Sequence, residues 1–560
     1  MEFYNIENAN NSYSDGGSDY GYAGYADMTG GDIDEVKTDS RTHGMARVEQ
    51  NVVVLRNIRR SKYDEQDETI AELSNRLHPM ALEIKVDVPR LEDVGLQTQI
   101  GVYYPNFGNG FFHWIHSGKN KMIDFSKFEN KKKVYYVVNG YEQYVDEYDS
   151  SIQTVMDNGP FFSKTPIVSR SFFKIWEILH YYDLINTSTS SKTLCVSNYP
   201  GALVQAVSYF REKYKIKSNT SYTCLKLESE EGDADVYADD YSQTYAELDD
   251  KFFSSNKAIT VKTHKLDSAD SIKKLDAADS DLIIAEGGYN YTDENIQEQR
   301  SQFLIFAEIV TAISSQKKGG SLILKMFEMF TELSYKFIVL LKHFYSKVYI
   351  MKPLMSRDID SERYVVCKGF DGSSSKSLIS KLADSMDKIK QIADSSTADS
   401  HFIIDIFPSY EITFDLRQQI TSMNISITNA QYKLLNKMIE FIDGSNYHGD
   451  LYRQYRERQI ELSKYWLSTF EQNKDRKDAA KLIEQAEKEE MNHLAKMNKK
   501  YVKTEKTDKT DKTSSKAAPI KAEAKAAPSK KMSRTSARSR SKSKSKPKSK
   551  ARSKPKSAAI

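Results

Sequence analysis

Three charged residues stand at or beside the ends of apolar, strand-like runs. Glu286 follows Asp281-Leu282-Ile283-Ile284-Ala285, Lys325 lies in Ser321-Leu322-Ile323-Leu324-Lys325-Met326-Phe327, and Glu362 precedes Arg363-Tyr364-Val365-Val366-Cys367. A lysine and two carboxylates can bind a ligand and exchange a proton with it, provided that the amine's pKa falls from its reference near ~10.4. Burial or a nearby cation lowers it; carboxylates raise it while fixing the amine's orientation. Singly, each of these residues reads as surface charge. Their shared position at strand ends matters more, because α/β sheets place ligands at the carboxyl ends of their strands.

The surrounding pattern supplies such a sheet. A helix is expected over Ile296 to Ser314, with Phe303, Leu304, Ala307, Val310 and Ile313 at helical spacing. Val348 to Pro353 reads as a strand. Upstream, Phe172, Ile175, Trp176 and Leu179 share one face of an amphipathic helix over Ser169 to Leu179. Thr193 to Val196 is a strand, then Asn198-Tyr199-Pro200-Gly201-Ala202 turns into a helix from Leu203 to Lys213. Backbone N–H groups freed at such a helix start suit a nucleotide-like ligand. Tyr222 to Leu227 and Ile259 to Val261 are further strands. Strands alternating with helices predict a parallel sheet with crossover helices.

The motifs SRSFFKIWEIL, GGSLILKMFEMFT and SRDIDSERYVVCKGF, with DLIIAEGG between the first two, occur in that order. Residues 166–372 thereby resemble the FtsJ-like, S-adenosylmethionine-dependent RNA 2′-O-methyltransferases, nearest to the mRNA cap branch found in eukaryotes and large DNA viruses. The resemblance implies a Rossmann-like methyltransferase sheet with helices on both faces. It implies a Lys-Asp-Lys-Glu catalytic tetrad, which falls on Lys174, Glu286, Lys325 and Glu362. Glu286 departs from the family's aspartate. The cofactor loop falls on Asn198, Pro200 and Gly201, where the family's acidic residue and second glycine are replaced by Asn198 and Ala202. Asp267 falls where the family often has an aspartate for the adenine amine. The implied roles are Lys325 as general base, Lys174 and Glu362 as orienting and tuning groups, and Glu286 near the methyl group and Lys325. The implied partners are S-adenosylmethionine and capped mRNA. A chain that keeps this fold as a catalytically weak RNA-binding scaffold is the alternative reading.

The rest of the chain bounds its setting. Residues 501–560 hold 20 Lys and Arg against 4 Asp and Glu, a net of +16, which leaves −13 on the first 500 residues out of a total of +3. An acidic body with a basic tail is expected, the tail binding polyanions by counterion release. No apolar run is long enough to span a bilayer, and the first residues have neither the basic start nor the apolar core of a signal peptide. Cys195, Cys224 and Cys367 lie in strand-like runs and read as buried free thiols of a reducing compartment, with no metal spacing. An intracellular protein is expected, in the cytoplasm or, if viral, in a virion or viral factory.

The expected organisation is a disordered N-terminus (1–50), an α+β region (51–165), the methyltransferase domain (166–372), a helical region (373–500) and a disordered basic tail (501–560). Within it, Ser375 to Ile392 and Asp415 to Asp443 read as helices, Gln454 to Lys499 as one long charged helix, and the acidic stretch 228–257 as a solvated loop. The aromatic run from Tyr103 to Phe107, with Phe111, Phe112 and Trp114, reads as a small aromatic core before it reads as a base-stacking surface.

Overall fold

A computed structural model describes most of residues 76–472 and scattered positions up to Lys488. The intervals 104–108, 125–137, 143–166, 228–239, 276–278, 289–293, 394–400 and 445–448, with a few isolated residues, lie outside the described set. So do both termini and the tail.

The centre is one eight-stranded sheet. Its strands are β1 (Met80–Glu83), β3 (Ser190–Ser197), β4 (Asn219–Leu227), β5 (Ile259–His264), β6 (Ser280–Ala285), β7 (Gln316–Met326), β8 (Tyr345–Lys352) and β9 (Arg363–Phe370). They run in the order β1-β8-β9-β7-β6-β3-β4-β5. Strands β5, β4, β3, β6 and β7 are mutually parallel. The sheet is not wholly parallel, as the alternation predicted: β9 inserts antiparallel between β7 and β8, and β1 adds antiparallel to β8. The link from β8 to β9 is a short loop rather than a crossover helix, and a short link favours the antiparallel return.

The order reverses between β3 and β6. From β3 the chain winds outward to β4 and β5; from β6 it winds the other way to β7. A crevice opens beyond the carboxyl ends at such a switch point.

Alternation along the strands divides the core in two. Leu194, Val196, Leu322 and Leu324 face one cluster, together with α6 (Gln297–Ser315) and α7 (Glu332–Phe344). Cys195, Ile284, Ile323, Tyr364 and Val366 face the other, beneath α2 (Ser171–Tyr182) and α3 (Gly201–Lys213). Helices therefore cover both faces, in agreement with the Rossmann-like expectation. The three cysteines are buried and free.

Helix α2 departs from the single apolar face predicted for it. Phe172 to His180 are all buried, because a second layer covers the outer side. Phe173 packs edge-on against Trp466 at 5.3 Å, and the Trp176 indole donates to the Phe470 carbonyl at 3.1 Å. That layer comes from α10 (Asp450–Trp466) and the π-helical turn Leu467–Glu471. The long helix expected from Gln454 to Lys499 is thus interrupted at Leu467, where burying Trp466, Leu467 and Phe470 outweighs helix continuity.

The acidic stretch also needs correction. Residues 240–255 form helix α4 (Asp240–Ser255) instead of a solvated loop. Leu248 and Phe252, four residues apart, pack on the α2/α3 core, and a helix is the conformation that aligns them. The other helices are α1 (Asn109–Asp124), α5 (Ala269–Lys273), α8 (Lys376–Ala393) and α9 (Phe414–Asp443), and a small sheet pairs β2 (Gln97–Ile100) with β10 (His401–Asp405). Phe112 packs on Phe330 and His116, as an aromatic core would, whereas Trp114 lies against Tyr432 and is 40% exposed. Among the described residues, no helix is long and apolar enough to cross a membrane.

Candidate active site

Four residues far apart in sequence meet beyond the carboxyl ends of β6 and β7. Lys174 projects from α2, Glu286 directly follows β6, Lys325 is the penultimate residue of β7, and Glu362 directly precedes β9. Period-2 alternation puts Lys325 on the same face as Ile323, the face that α2 covers. The Lys174 ammonium donates to both Glu362 oxygens at 2.9 Å and stands 3.7 Å from Glu286 Oε1. The Lys325 ammonium donates to the Glu286 backbone carbonyl at 3.3 Å.

The two lysines differ in environment. Burial alone would lower the pKa of Lys174, but Glu362 and then Glu286 outweigh it and hold the ammonium above the usual lysine value. Burial would likewise raise the Glu362 carboxyl, yet Lys174, Lys352 and Lys325 hold it well below the usual range. Lys174 and Glu362 are therefore a locked ion pair. Among the described residues, by contrast, no carboxylate lies within 4 Å of the Lys325 ammonium.

The crevice between β3 and β6 is built by hydrogen bonds across the switch point. The Glu286 N–H donates to the Val196 carbonyl, which extends the β3–β6 pairing by one residue. The Gly288 N–H donates to Asn198 Oδ1 at 3.0 Å, so the loops after β3 and β6 are tied together. The Gly287 N–H donates to buried Glu308 at 2.7 Å, and burial pushes that carboxyl up to about 8. Gly287 is closely surrounded: a Cβ there would stand 2.7 Å from Glu308 Oε1, 2.8 Å from Leu227 Cδ1 and 2.9 Å from Leu304 Cδ2, so these side chains would have to shift to admit one.

The cofactor-loop residues divide. Pro200 caps α3, and the Gly201 N–H is already taken by Asp249 at 2.6 Å. A Cβ at Gly201 would fall 2.3 Å from the same carboxylate. Ala202 is buried in the α2/α3 core, so its methyl is accommodated by packing. Asp267 lies apart from the four-residue cluster, where its carboxylate is engaged by Lys390 of α8 and by Ser268 at 3.1 Å.

Sequence reasoning overlooked five supporting groups. Tyr364 donates to Glu286 Oε1 at 2.5 Å. Its place two residues after Glu362, hence on the same strand face, was the available signal. Lys352 is fully buried at the end of β8, donates to the carbonyls of Asp360 and Glu362 at 2.8 and 3.0 Å, and burial brings it down to about 8. Glu177, three residues after Lys174, accepts from the Leu354 and Met355 N–H groups and from the Trp466 indole. Glu142 accepts from both Arg170 and Arg357. Asp249 gave no signal, being one acid among ten in residues 228–257.

Residues 167–370 match the family described as FtsJ-like methyltransferase. That interval begins just before α2 and ends with β9, so it contains every member of the cluster. The chain is similar to three curated relatives. A Trypanosoma cruzi cap-specific mRNA (nucleoside-2′-O-)-methyltransferase 1 is 38% identical over 16% of this chain and 26% of its own length. A Danio rerio protein of the same name is 41% identical over 16% of this chain and 11% of its own length. An African swine fever virus protein, "Probable methyltransferase EP424R", is 26% identical over 36% of this chain and 49% of its own length. The chain thus spans less than half the length of each of these relatives.

Proposed function

We propose that this protein transfers a methyl group from S-adenosylmethionine to a ribose 2′-hydroxyl of RNA in the 5′ cap region of mRNA. The observation that carries the reading is the meeting of Lys174, Glu286, Lys325 and Glu362 at the switch-point end of a methyltransferase sheet. The relatives named for cap-specific 2′-O-methylation support the substrate class.

The switch point fits the methyl donor. Gly288 leaves open the space that a Cβ would fill at 3.4 Å from the Lys325 ammonium, and buried Asp249 keeps one carboxylate oxygen without a partner at the start of α3. Asn198, Pro200, Gly201 and Asp267 would hold the cofactor, Asp267 sharing its carboxylate with Lys390. When bound, S-adenosylmethionine supplies a methyl carbon on a sulfonium, open to attack by an oxygen nucleophile.

The chain's own residues then divide the work. A ribose hydroxyl is a poor nucleophile, so a base must take its proton. Lys174 is unsuited, because its ion pair with Glu362 favours the charged amine. Lys325 accepts the proton instead, with its Nζ steered by the Glu286 carbonyl. Lys174 and Glu362 hold the substrate side of the site in shape, and Glu286 places its negative charge beside Lys174. Alignment of the reacting atoms supplies much of the remaining rate. An RNA substrate and three buried free thiols suit an intracellular setting.

Incubation of the full chain with methyl-labelled S-adenosylmethionine and capped RNA tests the reading. Label should pass to capped RNA, and uncapped RNA of the same sequence should receive far less. Binding of cofactor and RNA without transfer would favour the scaffold alternative. The basic tail contributes affinity rather than turnover. Deleting 501–560 removes a net +16, so RNA should bind more weakly and with a flatter salt dependence. Turnover at saturating RNA should survive, because no proposed catalytic residue lies in the tail. Unchanged affinity and salt slope would assign the tail to another partner.

A further inference from the structure

Tyr364 and Glu362, two residues apart, project from the same face of the β9 strand direction. Tyr364 is fully buried and pairs across the ladder with Lys325. Its hydroxyl donates to Glu286 Oε1, the same oxygen that lies 3.7 Å from the Lys174 ammonium. That ammonium also stands 5.9 Å from the Tyr364 ring. Tyr364 therefore grips one of the two acidic members of the cluster, Glu286, while lying beside both lysines.

We propose that Tyr364 is a positioning residue whose hydroxyl holds the Glu286 carboxylate on the Lys174 side and keeps it from forming an ion pair with Lys325. The inference rests on the reading of Lys325 as the base. Glutamate is one methylene longer than aspartate, which gives its carboxylate a wider reach. In a site where water is scarce, a free carboxylate pairs with whichever ammonium it can reach, and the attraction exceeds that in bulk water. An ion pair would hold Lys325 in its charged form, which cannot accept a proton. In the structure, Lys325 rests on the neutral backbone carbonyl of Glu286 while the side chain of the same residue is turned to Tyr364.

The charged groups around Lys325 are Glu286 after β6, Glu308 on α6, Glu362 before β9 and, across the Glu286 carboxylate, Lys174 on α2. Glu308 is tied to the Gly287 N–H, and Glu362 is tied to Lys174 by both oxygens. Glu286 is the carboxylate whose direction depends on Tyr364. Burial, then Glu286 and Glu362, raise the phenol's pKa well above its usual value, so it remains a donor throughout the working pH range.

Competitive acetylation with acetic anhydride, read by mass spectrometry over a pH series, reports the Lys325 titration without requiring methyl transfer. Tyr364→Phe keeps the ring and removes the donor. It should move the Lys325 titration to higher pH, leaving about tenfold less uncharged amine at neutral pH. The acidic limb of the kcat–pH profile should move with it, while the high-pH plateau is kept. In a Glu286→Asp background the shorter side chain is out of the hydroxyl's reach, so the same change should matter by less than about twofold. A Lys325 titration unmoved by Tyr364→Phe, or moved equally in both backgrounds, overturns the proposal. A shift confined to the Glu286 background supports it even if the wild-type chain transfers no methyl group, a result that would sink the functional reading alone.

Discussion

Lys325→Ala should lower kcat for methyl transfer by about 10²–10⁴-fold, the usual contribution of a general base, while S-adenosylmethionine continues to bind. The expectation follows from the contrast between the two lysines. Lys174 is held by two carboxylate oxygens at 2.9 Å, and its charged form is favoured. Lys325 touches a backbone carbonyl and, among the described residues, has no carboxylate within 4 Å. Removing Lys325 also removes one of three cations that hold Glu362 ionised, but Lys174 and Lys352 rank ahead of it. The site should therefore keep its shape. Calorimetric titration with the cofactor and single-turnover transfer, measured on the same preparation, separate binding from chemistry. Wild-type turnover in Lys325→Ala would give the proton to another group.

The second large effect concerns stability and lies outside the family interval. Glu142→Ala should destabilise the fold by about 3–5 kcal/mol, as expected when a buried ion pair loses one partner. The Glu142 side chain is 1% exposed and receives guanidinium donors from Arg170 and Arg357, which are 11% and 14% exposed. Truncation would leave two largely buried positive charges facing each other. Against a total stability of about 5–15 kcal/mol, a loss of that size is a large fraction. Denaturant unfolding of the wild type and the variant measures it, and a difference below about 1 kcal/mol would place this pair with weak surface bridges instead.

The reason that a residue before the methyltransferase domain matters is visible in the loop between β8 and β9. That loop carries Glu362, and its backbone is held from several directions. Arg76 donates to the Lys352 and Pro353 carbonyls and to Asp358, at 2.8 Å for the closest contact. Glu177 accepts from the N–H groups of Leu354 and Met355. From α9, Gln431 donates to the Ile359 carbonyl at 2.8 Å, and Asn424 accepts from Arg363. Lys352 closes the loop on itself through Asp360 and Glu362. Segments on both sides of the family interval thus fix the carboxylate that locks Lys174.

Much of this was legible in the sequence, and the limits have physical causes. Buried parallel strands such as Asp281 to Ala285 read as continuous apolar runs, and α6 read from its 3.6-residue period, because both signals are local. The antiparallel insertion of β9 was not legible, since a strand's direction depends on the link before it and its neighbours in space. Lys174, Glu286, Lys325 and Glu362 were legible only jointly, through motif order. Tyr364 and Lys352 resemble ordinary strand residues until the fold shows what they touch. Asp249 was hidden in an acidic run whose packed apolar residues are few, Leu248, Phe252 and Phe253. The Leu467 break in the C-terminal helix was illegible because it arises from packing on α2, almost three hundred residues away.

The most direct test is where the methyl group lands. Capped RNA methylated by the full chain, digested with a nuclease that requires a free 2′-hydroxyl, should yield a resistant cap-containing fragment carrying the label on ribose. Label found on a base, or none transferred by a preparation that binds S-adenosylmethionine, would contradict the account.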